Sequence, residues 1–240
     1  MAEKTESGVD IQEHGMDRDG TKRTSDRRLF MQLQVFGDCG GRQAVAEELA
    51  SRSVDAVLYQ DVNNPRGIGV LTMHEDPKFF ATTAAEIFQS ASFQPLVLKE
   101  DFTMFGRSYT TGFEPNLEDW LLDKPRRTAL NPDWPWALWY PLRRTGAFSG
   151  LAREEQGAIM REHGMIGRSY AEEDLAHDIR LACHGIDTHD NEFVIGLVGK
   201  ELYPLSHLVQ TMRKTKQTAQ YIQSMGPFFV GYAVWQSPSP

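Results

Sequence analysis

The chain has 240 residues, enough for one large domain or two compact ones, and 40% of them are apolar, which is ample for a core. Its 33 acidic against 25 basic residues give a net charge of −8, which argues for solubility and against a nucleic-acid partner. No apolar run approaches a membrane span, no signal-like stretch opens the chain, and the two distant cysteines, Cys39 and Cys183, fit a reduced, cytoplasmic setting in which both thiols are structural.

Residues 1–26 are polar, rich in charge and poor in aromatics, so a disordered tail is expected there. From Arg28 the elements come in a regular order. LFMQLQVF alternates apolar and polar side chains and predicts a strand, GRQAVAEELAS a short helix, and VDAVLYQDV and IGVLTMHE two strands around the turn NNPRG. Asp76-Pro77 opens a helix through PKFFATTAAEIFQSA, and DFTMFGRSYTTGF closes the unit as a strand. After the connector LDKPRRTALNPDWP the same order recurs. WALWYPL is a strand, LAREEQGAIMREHG a helix ended by Gly164 and Gly167, and DIRLACHG and EFVIGLVG are strands joined by IDTHDN. YPLSHLVQTMRKTKQTAQYIQSM is predicted as one long helix, and GPFFVGYAVWQ as the last strand. Two successive βαββαβ units predict an α+β fold of two tandem ferredoxin-like halves, 27–118 and 119–240, whose sheets pair into a dimeric α+β barrel.

Few segments carry chemistry. The glycines of GDCGGRQ precede a helix without the spacing of a dinucleotide loop and read as turn chemistry. CHGIDTHDN gathers Cys183, His184, Asp187, His189 and Asp190, all metal-ligand types, but a polar turn in which Asp and Asn bond their own backbone explains it better. His163 stands at the end of an amphipathic helix, on the face of Ile159 and Met160. Alone it fits a ligand for something flat, a proton shuttle or a buried hydrogen-bonded histidine. Its company favours the first. Tyr140 lies on the preceding strand, and Arg126, Arg127, Arg143, Arg144 and Arg213 surround an apolar, aromatic-rich face where guanidinium groups pair bidentately with carboxylates. A histidine ligand, a flat apolar pocket and carboxylate-binding arginines together describe a haem site.

Through WYPLRR, MREHGMIGRSY, MRKTKQTAQY and GPFFVG the chain resembles the chlorite dismutase family, in particular its coproheme decarboxylase branch. The resemblance covers essentially the whole C-terminal half and rests on the ordered set rather than on any one motif. It implies that His163 is the iron ligand, that Tyr140 is the oxidising tyrosine, and that Arg126, Arg213 and Thr218 hold porphyrin propionates. It further implies haem b or iron coproporphyrin III (coproheme) as the bound group, hydrogen peroxide as oxidant, and a homopentamer. The family's tryptophan beside the haem is Phe148 here. The distal arginine of true chlorite dismutases, thirteen residues after the ligand histidine, falls on Ala176, with His177 or Asp178 able to slide into register and Arg180 a weaker candidate. Chlorite turnover is therefore not expected. The expected reaction is peroxide-dependent decarboxylation of coproheme III to haem b. A haem-binding protein with a peroxidase-like or sensing role is the alternative, and a haem-free ring scaffold a third.

Overall fold

The computed structural model describes residues 8–238. Two short strands, β1 (Glu13–Met16) and β2 (Lys22–Ser25), form an antiparallel hairpin ahead of the main body. The first half then runs β3 (Phe30–Gly37), α1 (Arg42–Ser51), β4 (Ala56–Asp61), β5 (Ile68–His74), α2 (Lys78–Ala81), α3 (Thr83–Phe88), β6 (Val97–Leu98) and β7 (Met104–Arg107). A π-helical turn, Asp119–Asp123, leads directly into α4 (Lys124–Ala129). The second half runs β8 (Trp136–Arg144), α5 (Gly146–Ser149), α6 (Arg153–Glu172), β9 (His177–Ala182), β10 (Phe193–Gly199), α7 (Leu202–Met212), a π-helical turn Gln217–Tyr221, β11 (Ile222–Met225) and β12 (Phe229–Gln236).

The long strands pair antiparallel in the order β10-β9-β7-β3-β5-β4-β12-β8, and β8 also pairs with β10, so the sheet closes on itself as a barrel. Each half is the expected ferredoxin-like unit, with its helices outside. The seams between halves differ. β4 and β12 share a five-pair ladder interrupted by one bulge, whereas β7 and β9 meet only at Arg107 and Ala182.

Strand alternation sorts the side chains into a lumen and two outer layers. The lumen is filled by large residues such as Tyr59, Leu71, Trp139, Ile179 and Phe229. Glycines make room for the aromatics: a Cβ added at Gly196 would lie 2.6 Å from the Trp139 ring, and one at Gly69 would lie 2.4 Å from Phe229. The N-terminal outer layer is closed by Val45 and Leu49 of α1 and Ala84 and Ile87 of α3, all buried against the sheet. The C-terminal outer layer is looser. The 20-residue α6 contributes one fully buried residue, Ile159.

Three expectations are corrected. The stretch expected to be a disordered tail is, within its described part, the β1–β2 hairpin; residues 1–7 lie outside the described residues. Charge holds it rather than apolar packing, which explains its polar composition. The buried Glu13 carboxylate accepts hydrogen bonds from Arg28 Nε (2.9 Å), Arg107 (3.0 Å) and the Thr110 backbone N–H (3.0 Å). Second, α6 does not stop at Gly164 or Gly167 but continues to Glu172, so His163 is mid-helix rather than terminal. A helical glycine costs only about 1 kcal/mol, and packing overrides it. Third, the helix expected over 203–225 ends at Met212, where Thr215 Oγ1 donates to the Met212 carbonyl (2.8 Å), and residues 222–225 are strand β11.

Removing the Glu13 carboxylate leaves Arg28 and Arg107 without this acceptor in a partly desolvated site. Glu13→Ala should lower stability by about 1–3 kcal/mol, read as an earlier urea unfolding midpoint.

Candidate functional site

The site lies in the loosely filled outer layer of the C-terminal half. Here α6 rests against β9, and α7 rests against β10 and β8. Along α6, Ile159, His163, Ile166 and Tyr170 recur at spacings of three and four and form one stripe. That stripe faces the sheet: Ile159 is buried, while Ile166 and Tyr170 pack on the outer-layer cluster of Leu138, Tyr140 and Leu197. Further along, Tyr170 Oη meets His207 Nδ1 and Thr211 Oγ1 (3.2 Å), tying α6 to α7.

His163 is unusual in this company. Its Nδ1 is sealed from solvent and, among the described residues, has no hydrogen-bond partner. Burial holds the imidazole below the ordinary histidine value, with the positive charge of Arg180 adding to the effect and Asp178 and Glu162 opposing it. A buried, unpaired ring nitrogen is costly unless something else takes its lone pair.

The sheet face across from α6 is set by register. With Trp139, Val194 and Ile179 in the lumen, their strand neighbours point outward. Cross-strand pairing places Tyr140 opposite Ile195 and Ile195 opposite Arg180; the next row is Leu138, Leu197 and Asp178. Tyr140 and Arg180 thus share one row, two strand spacings or about 10 Å apart. Arg180 Nε bonds Asp178 Oδ2 at 2.9 Å. The Tyr140 ring is buried and stacks on Phe228 (centroids 4.5 Å apart). Burial raises its phenol above the ordinary value, Asp178 adds to this, and Arg213 opposes it. Arg213, exposed at the end of α7, therefore acts on Tyr140, and among the described residues it has no carboxylate partner.

Not every expected residue joins this group. Arg126 is committed elsewhere, its Nε bonded to Asp55 of the N-terminal half at 2.8 Å. Its helix caps the lumen through Ala129 and Leu130. Two positions earlier Lys124 does lie near Asp178 and Arg180, and two helical steps turn Arg126 roughly 200° away from it. Thr218 sits in the π-helical turn, where its N–H donates to Thr215 Oγ1 (3.3 Å). Phe148 is buried edge-on to Tyr221 (5.7 Å) beneath the Arg144 guanidinium (4.7 Å), at the β11 edge of the same outer layer. Arg144 also bonds Glu192 (3.2 Å), and Arg143 bonds Asp190 in the loop 184–191. In that loop Asp187 Oδ2 accepts from the N–H groups of His189 and Asn191, a polar turn in full use of its own side chains.

The candidates counted from His163 fall in different places. Ala176 is buried among Leu138, Leu205 and Leu208 and offers only a methyl group. His177 is turned away, stacked on Trp134 (3.6 Å) and bonded to Asp174 (2.9 Å). The charged residues facing α6 are Asp178 and Arg180. Both are among the candidates that the count from His163 leaves open.

Beside Asp178 and Arg180, at the narrow β7–β9 seam, lies a cavity of about 30 Å³, room for a water or two. Ser108, Tyr109 and Thr111 line it, with Trp120 and Lys124 from the π-helical turn and α4. The Lys124 ammonium rests 3.9 Å from the Trp120 ring centre, and burial lowers its pKa.

Known proteins share this architecture. A model of the chlorite dismutase family matches residues 73–234, and the chain belongs to that family. Among solved structures, one described as a novel heme-binding protein from Thermus thermophilus superposes with a TM-score of 0.71 at 19% identity, covering 89% of this chain and 93% of that one. A mutant chlorite dismutase from Candidatus Nitrospira defluvii gives a TM-score of 0.66 at 15% identity, covering 86% and 92%. At these identities the likeness is one of fold.

The depressed His163 value has a consequence for stability. The folded protein binds this proton less readily than the unfolded chain. The contribution is therefore complete above the unfolded value of about 6.5 and is lost as pH falls below it toward the folded value. Between about pH 7 and about pH 5, His163→Gln should lose less stability than the unaltered ligand-free protein in urea unfolding.

Proposed function

We propose that this chain binds an iron porphyrin between α6 and the C-terminal sheet and uses peroxide to decarboxylate coproheme III to haem b. The observation that carries the reading is the buried, unpartnered His163 nitrogen on a helix that the sheet does not fill. A flat apolar macrocycle would lie between the helix and the sheet, and the His163 imidazole would hold its metal. His163 is the ligand in this reading, Tyr140 the redox residue, and Arg213 the group that pairs with a propionate. Thr218 and Phe148 border the porphyrin from the π-helical turn and the β11 edge. Arg126 has no part in it, because Asp55 already holds its charge.

When bound, the iron porphyrin supplies the oxidising equivalents drawn from peroxide. The protein supplies position and protons. Buried Tyr140 keeps its phenolic hydrogen at rest. It would give up that electron and proton, then recover a hydrogen atom from the β-carbon of a nearby propionate. For each propionate the net change is loss of carbon dioxide and two hydrogens, leaving a vinyl group, while one peroxide is reduced to two waters. Hydrogen abstraction tolerates little misplacement, and the Arg213 guanidinium, which among the described residues has no carboxylate partner and whose charge acts on Tyr140, is suited to fixing the carboxylate.

Arg180 favours a second reading. A guanidinium opposite His163 is the type of group that holds an anionic oxidant such as chlorite, although its ion pair with Asp178 offsets the charge. The third reading, a haem-binding or sensing role, needs His163 but no turnover at Tyr140. The family membership is compatible with all three.

Titrating the purified protein with iron coproporphyrin III and then adding peroxide slowly separates them. Two successive losses of carbon dioxide and two hydrogens in the product mass support decarboxylation. Oxygen release from chlorite supports the second reading, and a Soret shift without mass change supports the third. His163→Ala should abolish the Soret shift. Tyr140→Phe should keep it and form no vinyl product, and Arg213→Ala should slow conversion by about 100-fold; conversion by Tyr140→Phe at the unaltered rate would remove that tyrosine from the mechanism.

A further inference from the structure

The face opposite His163 carries, on its three central strands, mostly groups unsuited to accept a proton. β8 presents Leu138, Tyr140, Leu142 and Arg144, and β10 presents Phe193, Ile195 and Leu197. From β9 come Asp178, Arg180 and Ala182. Among these outward residues Asp178 is the one carboxylate. Its charge is felt at His163, Tyr140, Tyr109 and Lys124, so it stands at the centre of the group. It is also 2.9 Å from a guanidinium that can hold negative charge, and it lines the seam cavity that has room for water.

We infer that Asp178 is the proton acceptor for weak-acid ligands, hydrogen peroxide among them, that reach the face opposite His163, with Arg180 holding the conjugate base they become. The inference rests on the porphyrin-binding reading above. The step is a proton transfer. The ligand's proton passes to a carboxylate oxygen of Asp178, and the ligand binds as an anion whose charge lies against Arg180. The seam cavity gives the proton a hydrogen-bonded exit through water to Ser108 and Thr111. The arrangement needs both residues on alternate outward positions of one strand, which is where β9 puts them.

Cyanide tests this, because hydrogen cyanide must lose a proton to bind; imidazole, which binds neutral, is the control. With ferric haem loaded, Asp178→Asn should slow cyanide association by about 100-fold or more while leaving imidazole association unchanged. Asp178→Glu should restore most of the cyanide rate. Arg180→Leu should chiefly speed cyanide dissociation. Cyanide association by Asp178→Asn at the unaltered rate overturns the proposal, as does an equal loss for imidazole, which would make Asp178 only a support for Arg180. Failure of the unaltered protein to shift the Soret band sinks the porphyrin reading instead, and does so before cyanide is added.

Discussion

The two-residue period of β8 determines what the rest of the molecule can do. Trp139 points into the lumen, where Gly196 leaves space for its ring and Phe229 lies beside it in the cluster. A one-residue slip would drive Trp139 outward and bring Tyr140 into the lumen, so the indole locks the register. Cross-strand pairing then passes that register to β10 and β9, and the row Tyr140, Ile195, Arg180 follows. The chemistry of the outer face is thus fixed by packing on the inner one.

The two halves share a topology and differ in how their outer layers are filled. In the N-terminal half α1 and α3 bury Val45, Leu49, Ala84 and Ile87 against Leu58, Ile68 and Val70. In the C-terminal half α6 meets the sheet largely with half-buried side chains and a histidine whose buried nitrogen lacks a partner. Apolar side chains left half-buried forgo stabilisation worth roughly 25 cal/mol per Å² of surface not buried. Occupation by a large apolar ligand would recover it. The tie between Tyr170 and the α7 residues His207 and Thr211 keeps the two helices together.

Much of this is legible in the sequence, and the misreadings have physical causes. The alternation in WALWYPL marks the strand, its faces and Tyr140, and the helical stripe marks His163, because both signals are local. Gly164 and Gly167 mislead as a helix end because propensity is a weak local preference, whereas α6 is held by contacts with α7 and β9. The break after Met212 is hidden because residues 213–218 contain neither glycine nor proline to mark it. The pairing of Arg126 is invisible in the sequence because its partner, Asp55, lies 71 positions away. The N-terminal hairpin escapes notice because it is held by Glu13 and two arginines rather than by an apolar pattern. No single-sequence rule anticipates such pairings.

The sheet face across from His163 shows the same limit most sharply. Counting along the chain from His163 assumes that the loop between α6 and β9 has a fixed length, but a side chain's position in space depends on the strand's own register. That register is set from the other side, by the pairing of β9 with β10 and by Ile179 and Leu181 in the lumen. Once those two face inward, Asp178 and Arg180 must face outward, whatever the loop contains. The seam adds a second constraint. Because β7 meets β9 at a single residue pair, the barrel is left with a gap there, and Trp120 and Lys124 fill it only partly. The same thin closure that weakens the contact between the halves leaves a small polar cavity against the two charged residues that face His163.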